Sequence, residues 1–247
     1  METGNDVALD KSYRGMGVPC PAVDDRTALV AIDGRDSLTK MPTMQINQTV
    51  VEVVRGSVTD QDVDAIVNAA NTSMRGGGGI DGRIHRAAGP KMMEELIRVA
   101  PHGAKTGTVV VTGGYELKQK LVFHTPGPIW RGGGNGEADL LTACYRGCIE
   151  EADRRGLESL AYCSISTGVY GYPIDQAAPI AVSAVKEFLA THSSTSLTRV
   201  VFAMYGVDEF DVFSKAVVGL FSTAEGHLAS GFIPEGGSDV DGGEVST

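Results

Sequence analysis

Asp81 and His85, four residues apart, follow directly on four consecutive glycines, Gly76 to Gly79, in the stretch AIVNAANTSMRGGGGIDGRIHRAAGP from Ala65 to Pro90. Consecutive glycines let a backbone turn at positive φ and bring its N–H groups against a ligand. A helix opening straight after them, at Ile80 and Asp81, adds unpaired N–H donors and a partial positive charge. The combination is a cradle for a diphosphate with a carboxylate at its rim. Asp81 lies where the helix dipole favours negative charge, and His85 shares its helix face one turn on. Asn71, at the end of the short apolar strand, would lie beside them. A lone aspartate there is most often only a cap; with Asn71 upstream, His85 one turn on and a glycine cradle beside it, Asp81 is less easily dismissed as one.

A second glycine-bearing stretch, Ser164-Ile165-Ser166-Thr167-Gly168-Val169-Tyr170-Gly171-Tyr172-Pro173, follows another apolar run. Ser166, Thr167 and the backbone of Gly168 to Gly171 could supply further donors to phosphate, and Tyr172 could pack against a sugar ring. Read alone it is an ordinary strand-to-helix connection.

Other features read as structural. Gly77, Gly79 and Gly82 match GxGxxG, but a dinucleotide fold wants its glycines nearer the strand end and an acid about 20 residues on. No Lys-Ser/Thr pair follows, which argues against a phosphoryl-transferring P-loop. Gly132–Gly136 reads as a variable connection, and Cys144 and Cys148 as one apolar helix face. His124 ends an apolar strand, and no Cys/His cluster has zinc-ligand spacing. No Gly-x-Ser-x-Gly elbow occurs. Neither a metal nor a cofactor is expected.

These residues need elements to position them. Strand-like runs occur at Thr49–Val54, Ala65–Val67, Thr108–Thr112, Leu121–Phe123, Leu160–Ile165 and Arg199–Met204. Helical periodicity covers Asp81 to about Ala100, with a break at Pro90, then Glu137–Arg155, Asp175–Ala190 and Asp208–Phe221. Alternation of this kind implies a three-layer α/β/α sandwich around a mostly parallel, mixed central sheet, with ligands bound beyond the carboxyl ends of its strands. Residues 1–45 read as a poorly ordered extension, 46–221 as the folded domain, and 222–247 as an acidic, Gly/Ser-rich disordered tail.

The 247 residues, 42% of them hydrophobic, suffice for one well-buried domain with tails. Of the net charge of −10, the tail from Ser222 carries five acids and no base, and the first 45 residues seven acids against five bases. An acidic chain lacks the lysine and arginine that grip nucleic acid without regard to sequence, so no nucleic-acid binding is expected. An anionic ligand would be held by backbone dipoles, which favours a small nucleotide. No apolar run of membrane-spanning length occurs. The four cysteines suit a reduced compartment. The expectation is a monomer in cytosol or nucleus, with a mitochondrial address left open.

Taken together, the AAN of NAAN, GGGGIDGRIH and ISTGVYGYP resemble the macrodomain family, and specifically its MacroD-type ADP-ribosyl hydrolases. The resemblance runs from about Thr49 to Val217. It implies an ADP-ribose pocket and removal of mono-ADP-ribose from acidic side chains of proteins, with O-acetyl-ADP-ribose as a related substrate. By position, Asn71 would contact the distal ribose, Asp81 would orient that ribose and the attacking water, and His85 would support them. Gly76, Gly77, Gly78, Gly79 and Ile80 would line one side of the diphosphate, with Ala70 beside them. Ser166, Thr167, Gly168, Val169, Tyr170 and Gly171 would line the other. Tyr172 stands where the family often has phenylalanine and would position the distal ribose; Tyr205 matches the aromatic that stacks on adenine. The family's usual Gly-Asp-Ile/Val, whose aspartate accepts from the adenine amino group, is here Gly56-Ser57-Val58.

The same pocket admits two other readings. One is a module that binds ADP-ribosylated proteins without hydrolysis, and the other a phosphatase of ADP-ribose-1″-phosphate. A nucleotide-binding oxidoreductase would require a bound, redox-active nicotinamide.

Overall fold

The computed structural model describes residues 42–226. Its elements run β1 (Thr43–Ile46), β2 (Thr49–Arg55), a 3-10 turn (Val58–Asp60), β3 (Ala65–Ala70), α1 (Gly79–Ala88), α2 (Pro90–Val99), β4 (Val110–Gly113), β5 (Leu121–Pro126), α3 (Glu137–Arg154), β6 (Ser159–Tyr162), α4 (Ile174–Thr191), β7 (Arg199–Met204) and α5 (Val207–Gly226). The strands form one sheet in the order β1-β2-β7-β6-β3-β5-β4. The five central strands pair in parallel and the two edge strands antiparallel. This is the expected α/β architecture with a mixed, mostly parallel sheet.

Alternation along the central strands sends side chains to two separate cores. Val67, Phe123, Leu160, Tyr162, Val200 and Phe202 meet the buried faces of α3, α4 and α5. Ile66, Val122, Ala161, Val201 and Ala203 point the other way and pack on Ile84, Ala88 and Met92 of α1 and α2. A sheet buried on both faces explains why these strands read as nearly continuous apolar runs. Parity also fixes the polar exceptions: Asn68 and His124, one step of two beyond Ile66 and Val122, face α1.

Several boundaries differ from the sequence reading. β1 was not expected at all, since TMQI is short and lies where the extension was placed; its alternating burial at Met44 and Ile46 closes the sheet edge over β2. The folded part therefore begins before residue 46. β3 and β5 each run three residues past the apolar stretch, because Asn68 and His124 continue the ladder as register partners. The β4 run starts later than expected, at Val110, and β6 ends at Tyr162. Helix α5 continues past Phe221 to Gly226. Residues 1–41 of the extension and 227–247 of the tail lie outside the described residues. The break at Pro90 holds: Gly89 turns at φ 75° and Pro90 opens α2. No helix among the described residues is long and apolar enough to cross a membrane.

Candidate functional site

All five parallel strands end at the same edge, and the chain leaving them builds one cavity of about 700 Å³. Gly56 and Ser57 follow β2, Tyr205 follows β7, Ser164 follows β6, Asn71 follows β3 and Gly127 follows β5. Neighbouring strands are about 4.8 Å apart, so the three steps from β2 to β3 separate the two ends by about 14 Å. The volume suits a small organic ligand. The row of strand exits suits an elongated one.

The floor is made of unused backbone donors. Gly82 N–H is the first amide of α1 to find a backbone acceptor, Gly78 O at 3.2 Å, so the amides before it, on residues that line the cavity, are not spent inside the helix. Glycine at 82 is required, because a Cβ there would meet Gly77 O at 2.6 Å. Opposite, Ser166 sits at φ 68°, a strained conformation for a residue with a side chain. Its carbonyl accepts from Tyr172 N–H at 3.0 Å and Gly168 O from Gly171 N–H at 2.9 Å, which curls 166–171 into a loop. The Tyr145 hydroxyl accepts from Ile165 N–H at 3.0 Å and anchors the entry to that loop. Ser166 Oγ is buried and has no partner in the protein.

At the β3 end the polar side chains converge. Asn68 Nδ2 donates to Asp81 Oδ1 at 2.6 Å, and His85 Nε2 lies 3.3 Å from the same oxygen. Asp81 is only 5% exposed, yet its Oδ2 has no partner in the protein. Gly77 lies against that oxygen, where a Cβ would approach to 3.1 Å. Asn71 donates from Nδ2 to Gly76 O at 2.7 Å and accepts through Oδ1 from Ser73 N–H at 3.0 Å, holding the glycine loop in shape. Behind Asn68, His124 Nδ1 is 3.0 Å from Nδ2, and His124 Nε2 is 2.8 Å from Thr112 Oγ1. Burial holds the His124 imidazole neutral, its pKa pushed down to about 3.

Of the residues singled out from sequence, Ser57, Val58, Ala70 and Asn71 line the cavity, as do Gly77, Gly78, Gly79, Ile80 and Asp81. Ser166, Thr167, Gly168, Val169, Tyr170 and Tyr205 line it too. Four lie outside the lining. Gly76 is behind the loop it starts, beside Met93. His85 lies beneath Asp81. Gly171 closes the turn from Gly168. Tyr172 corrects an expectation: it is 2% exposed and packs on Trp130, ring centres 4.5 Å apart, in the α3–α4 core. In the loop that follows β6 its ring turns into this core beside Trp130, and it does not line the cavity.

The sequence reading missed several wall residues. Arg83 and Arg86 project from α1 to the cavity rim, so backbone dipoles are not the only positive charge there. Arg83 stacks over Tyr205, 4.0 Å from its centroid. Glu209 lines the same end and accepts from Gly206 N–H at 3.1 Å. Helical periodicity from Asp81 places Arg83 and Arg86 away from the core, which was the available signal. Gly127 and Cys163 also contribute. The Cys163 thiol, pushed up to about 12 by burial, donates to Val67 O at 3.3 Å and is no nucleophile. The loop 132–136 does not enter the cavity: the buried Glu137 carboxylate gathers the amides of Arg131, Gly133 and Asn135.

A family model described as Macro domain matches residues 67–181, from β3 through the first part of α4. A macro domain-containing protein of Chlorobaculum tepidum is 44% identical over 171 residues, covering 69% of this chain and 97% of that protein. The chain belongs to the macrodomain family. An O-acetyl-ADP-ribose deacetylase of Salmonella newport is 49% identical over 145 residues, 58% of this chain and 81% of the relative. Among solved structures, the Oceanobacillus iheyensis macrodomain with ADP superposes at TM-score 0.69 with 35% identity, covering 75% of this chain and 100% of that one. The Trypanosoma brucei macrodomain in complex with ADP-ribose superposes at TM-score 0.63 with 42% identity, covering 68% of each.

Proposed function

We propose that this macrodomain binds ADP-ribose and hydrolyses ester linkages at its distal ribose. The substrates would be O-acetyl-ADP-ribose and mono-ADP-ribose carried on acidic side chains of proteins. The observation that carries the reading is the state of Asp81. One oxygen is pinned by Asn68, and the other is buried, unpaired and beside the glycine loop at the end of the cavity away from Tyr205.

In that arrangement the base stacks on Tyr205, the amides of Gly77–Ile80 and Gly168–Tyr170 clasp the diphosphate, and the distal ribose reaches Asp81. The neighbours that hold ADP and ADP-ribose support the ligand, and the deacetylase relatives support hydrolysis. For a glutamyl ester, water adds hydroxide to the anomeric carbon and the carboxylate leaves with the bonding pair; the remaining proton passes to solvent. A carboxylate leaves readily, so the protein's task is to place the water and stabilise redistributing charge. Asp81 Oδ2 is the acceptor positioned to orient that water or the ribose hydroxyl beside it.

The test is release of free ADP-ribose from a glutamate-linked mono-ADP-ribosylated protein, and of acetate from O-acetyl-ADP-ribose, by wild type and Asp81→Ala. Turnover should fall by about 100-fold or more in the variant while ADP-ribose affinity falls far less. Binding without release by wild type would make the protein a reader. Release only from ADP-ribose-1″-phosphate would make it a phosphatase.

A further inference from the structure

We infer that His124 is a positioning residue for Asp81, acting through the Asn68 amide. The inference rests on the hydrolase reading for its consequence and on buried geometry for its cause. Asn68 Nδ2 must donate to the Asp81 carboxylate oxygen 2.6 Å away, because the opposite amide orientation would set two oxygens against each other. The same nitrogen therefore offers its other hydrogen to His124 Nδ1 at 3.0 Å, which makes Nδ1 an acceptor. The remaining imidazole nitrogen, Nε2, then carries the proton and donates to Thr112 Oγ1 at 2.8 Å. Each partner fixes the next: the acceptor-only Asp81 carboxylate sets the amide, the amide sets the tautomer, and the Thr112 hydroxyl, able to accept, completes the chain that holds Asn68 against one Asp81 oxygen and leaves the other free.

The chain of contacts has little freedom to rearrange. Asn68 and His124 are both 0% exposed and directly opposed in the parallel β3–β5 ladder. Thr112, on the antiparallel edge strand β4, is 1% exposed. On the α1 side, Asp81 and His85 are the titratable groups that face the pair, with the His85 ring centre 6.0 Å from that of His124. His124 does not line the cavity. The hydrogen-bonded route from its ring toward the cavity runs through Asn68 to Asp81.

Two measurements on the full chain test this. The first is nitrogen NMR of the His124 ring. It should show protonated Nε2 and bare Nδ1 at neutral pH and still at about pH 5, since burial keeps the ring neutral. A protonated Nδ1 at neutral pH overturns the inference whether or not the protein hydrolyses anything.

The second compares His124→Phe with His124→Asn, whose carbonyl oxygen stands near the position of Nδ1. Losing the acceptor behind Asn68 should lower kcat by about tenfold in His124→Phe with KM nearly unchanged, and His124→Asn should recover most of it. In an Asp81→Ala background His124→Phe should add nothing, because residues acting as one unit are non-additive. An independent further loss, or equal losses in both variants, would make His124 a packing residue only. Absence of any hydrolysis by wild type would instead sink the hydrolase reading. The ring tautomer and the shift of the Asn68 side-chain amide in His124→Phe would then decide the positioning claim.

Discussion

The guanidinium of Arg83 lies 4.0 Å from the centre of the Tyr205 ring, and both residues line the cavity at the β7 exit. Tyr205 is 63% exposed, so the ring contributes little to the fold and is available as a platform for a base. Base–aromatic stacking contributes about 1–3 kcal/mol. Tyr205→Ala should therefore weaken ADP-ribose binding by about 5- to 150-fold in calorimetry without moving the melting temperature. Arg83→Ala should cost less, about 0.5–1 kcal/mol, and the loss should shrink as salt is raised. Unchanged affinity in Tyr205→Ala would place the base elsewhere.

Glycines on the two sides of the cavity should respond differently to substitution. A Cβ on Gly127 would stand 2.1 Å from Ser166 Oγ and 2.6 Å from Ile165 Cγ2, so Gly127→Ala must push the strained 166–171 loop. Overpacking of this kind costs about 1–3 kcal/mol, and ADP-ribose binding should fall together with thermal stability. A Cβ on Gly78 meets nothing within 4 Å, and its backbone is extended at φ −95°. Gly78→Val should melt with wild type and lose only ligand affinity, by crowding the diphosphate. Parallel melting curves and titrations of the two variants separate these effects. A stability loss in Gly78→Val would contradict the open space seen there.

Glu137 gives a pH signature away from the cavity. Burial alone would raise its pKa, but its own backbone amide and the amides of Asn135 and Arg131 outweigh it and hold the carboxyl down at about 2, against an ordinary 4.5. A carboxylate depressed in the folded state contributes stability that is present above the unfolded value and lost as pH falls through the folded one. Glu137→Gln should therefore melt below wild type at neutral pH, and the gap should close between about pH 4.5 and 2. A gap constant across that window would mean that packing, rather than charge, holds the 131–137 loop.

How much of this was legible in the sequence depends on the range of the interaction. Strand β7 was read to the residue because Arg199–Met204 is apolar on both faces and bounded by loops. The glycine cradle and Asp81 were visible because a loop and the helix it feeds are contiguous. Asn68 and His124 were not, since they are 56 residues apart and meet only through the β3–β5 register, which a sequence does not print. Each looked like the polar end of an apolar strand. Tyr172 failed for the opposite reason: it stands in a loop, where no period assigns a side, and Trp130, which captures it, lies in a distant connection. Arg83 and Arg86 were not singled out because helical periodicity puts them only on the polar face of α1, and a sequence does not show that the cavity opens there.

Ser57 offers a gain-of-affinity test. Its hydroxyl caps the 3-10 turn Val58–Asp60, accepting from Thr59 N–H at 3.4 Å, and is 2.8 Å from Thr59 Oγ1. Either hydroxyl of that pair can be the donor, so the wall presents an uncharged group able to accept from an amino group or donate to a carbonyl. A carboxylate caps a turn equally well but only accepts. Its bond to an amino group contributes about 1.5–3 kcal/mol against about 1 for a neutral one. Ser57→Asp should therefore keep the fold and tighten ADP-ribose binding by about 2- to 30-fold. It should also sharpen preference over the 6-oxo analogue, inosine diphosphate ribose, which has no amino group to donate. If the variant binds both ligands more weakly by the same factor, repulsion between the new charge and the diphosphate dominates, and the β2 exit does not read the base.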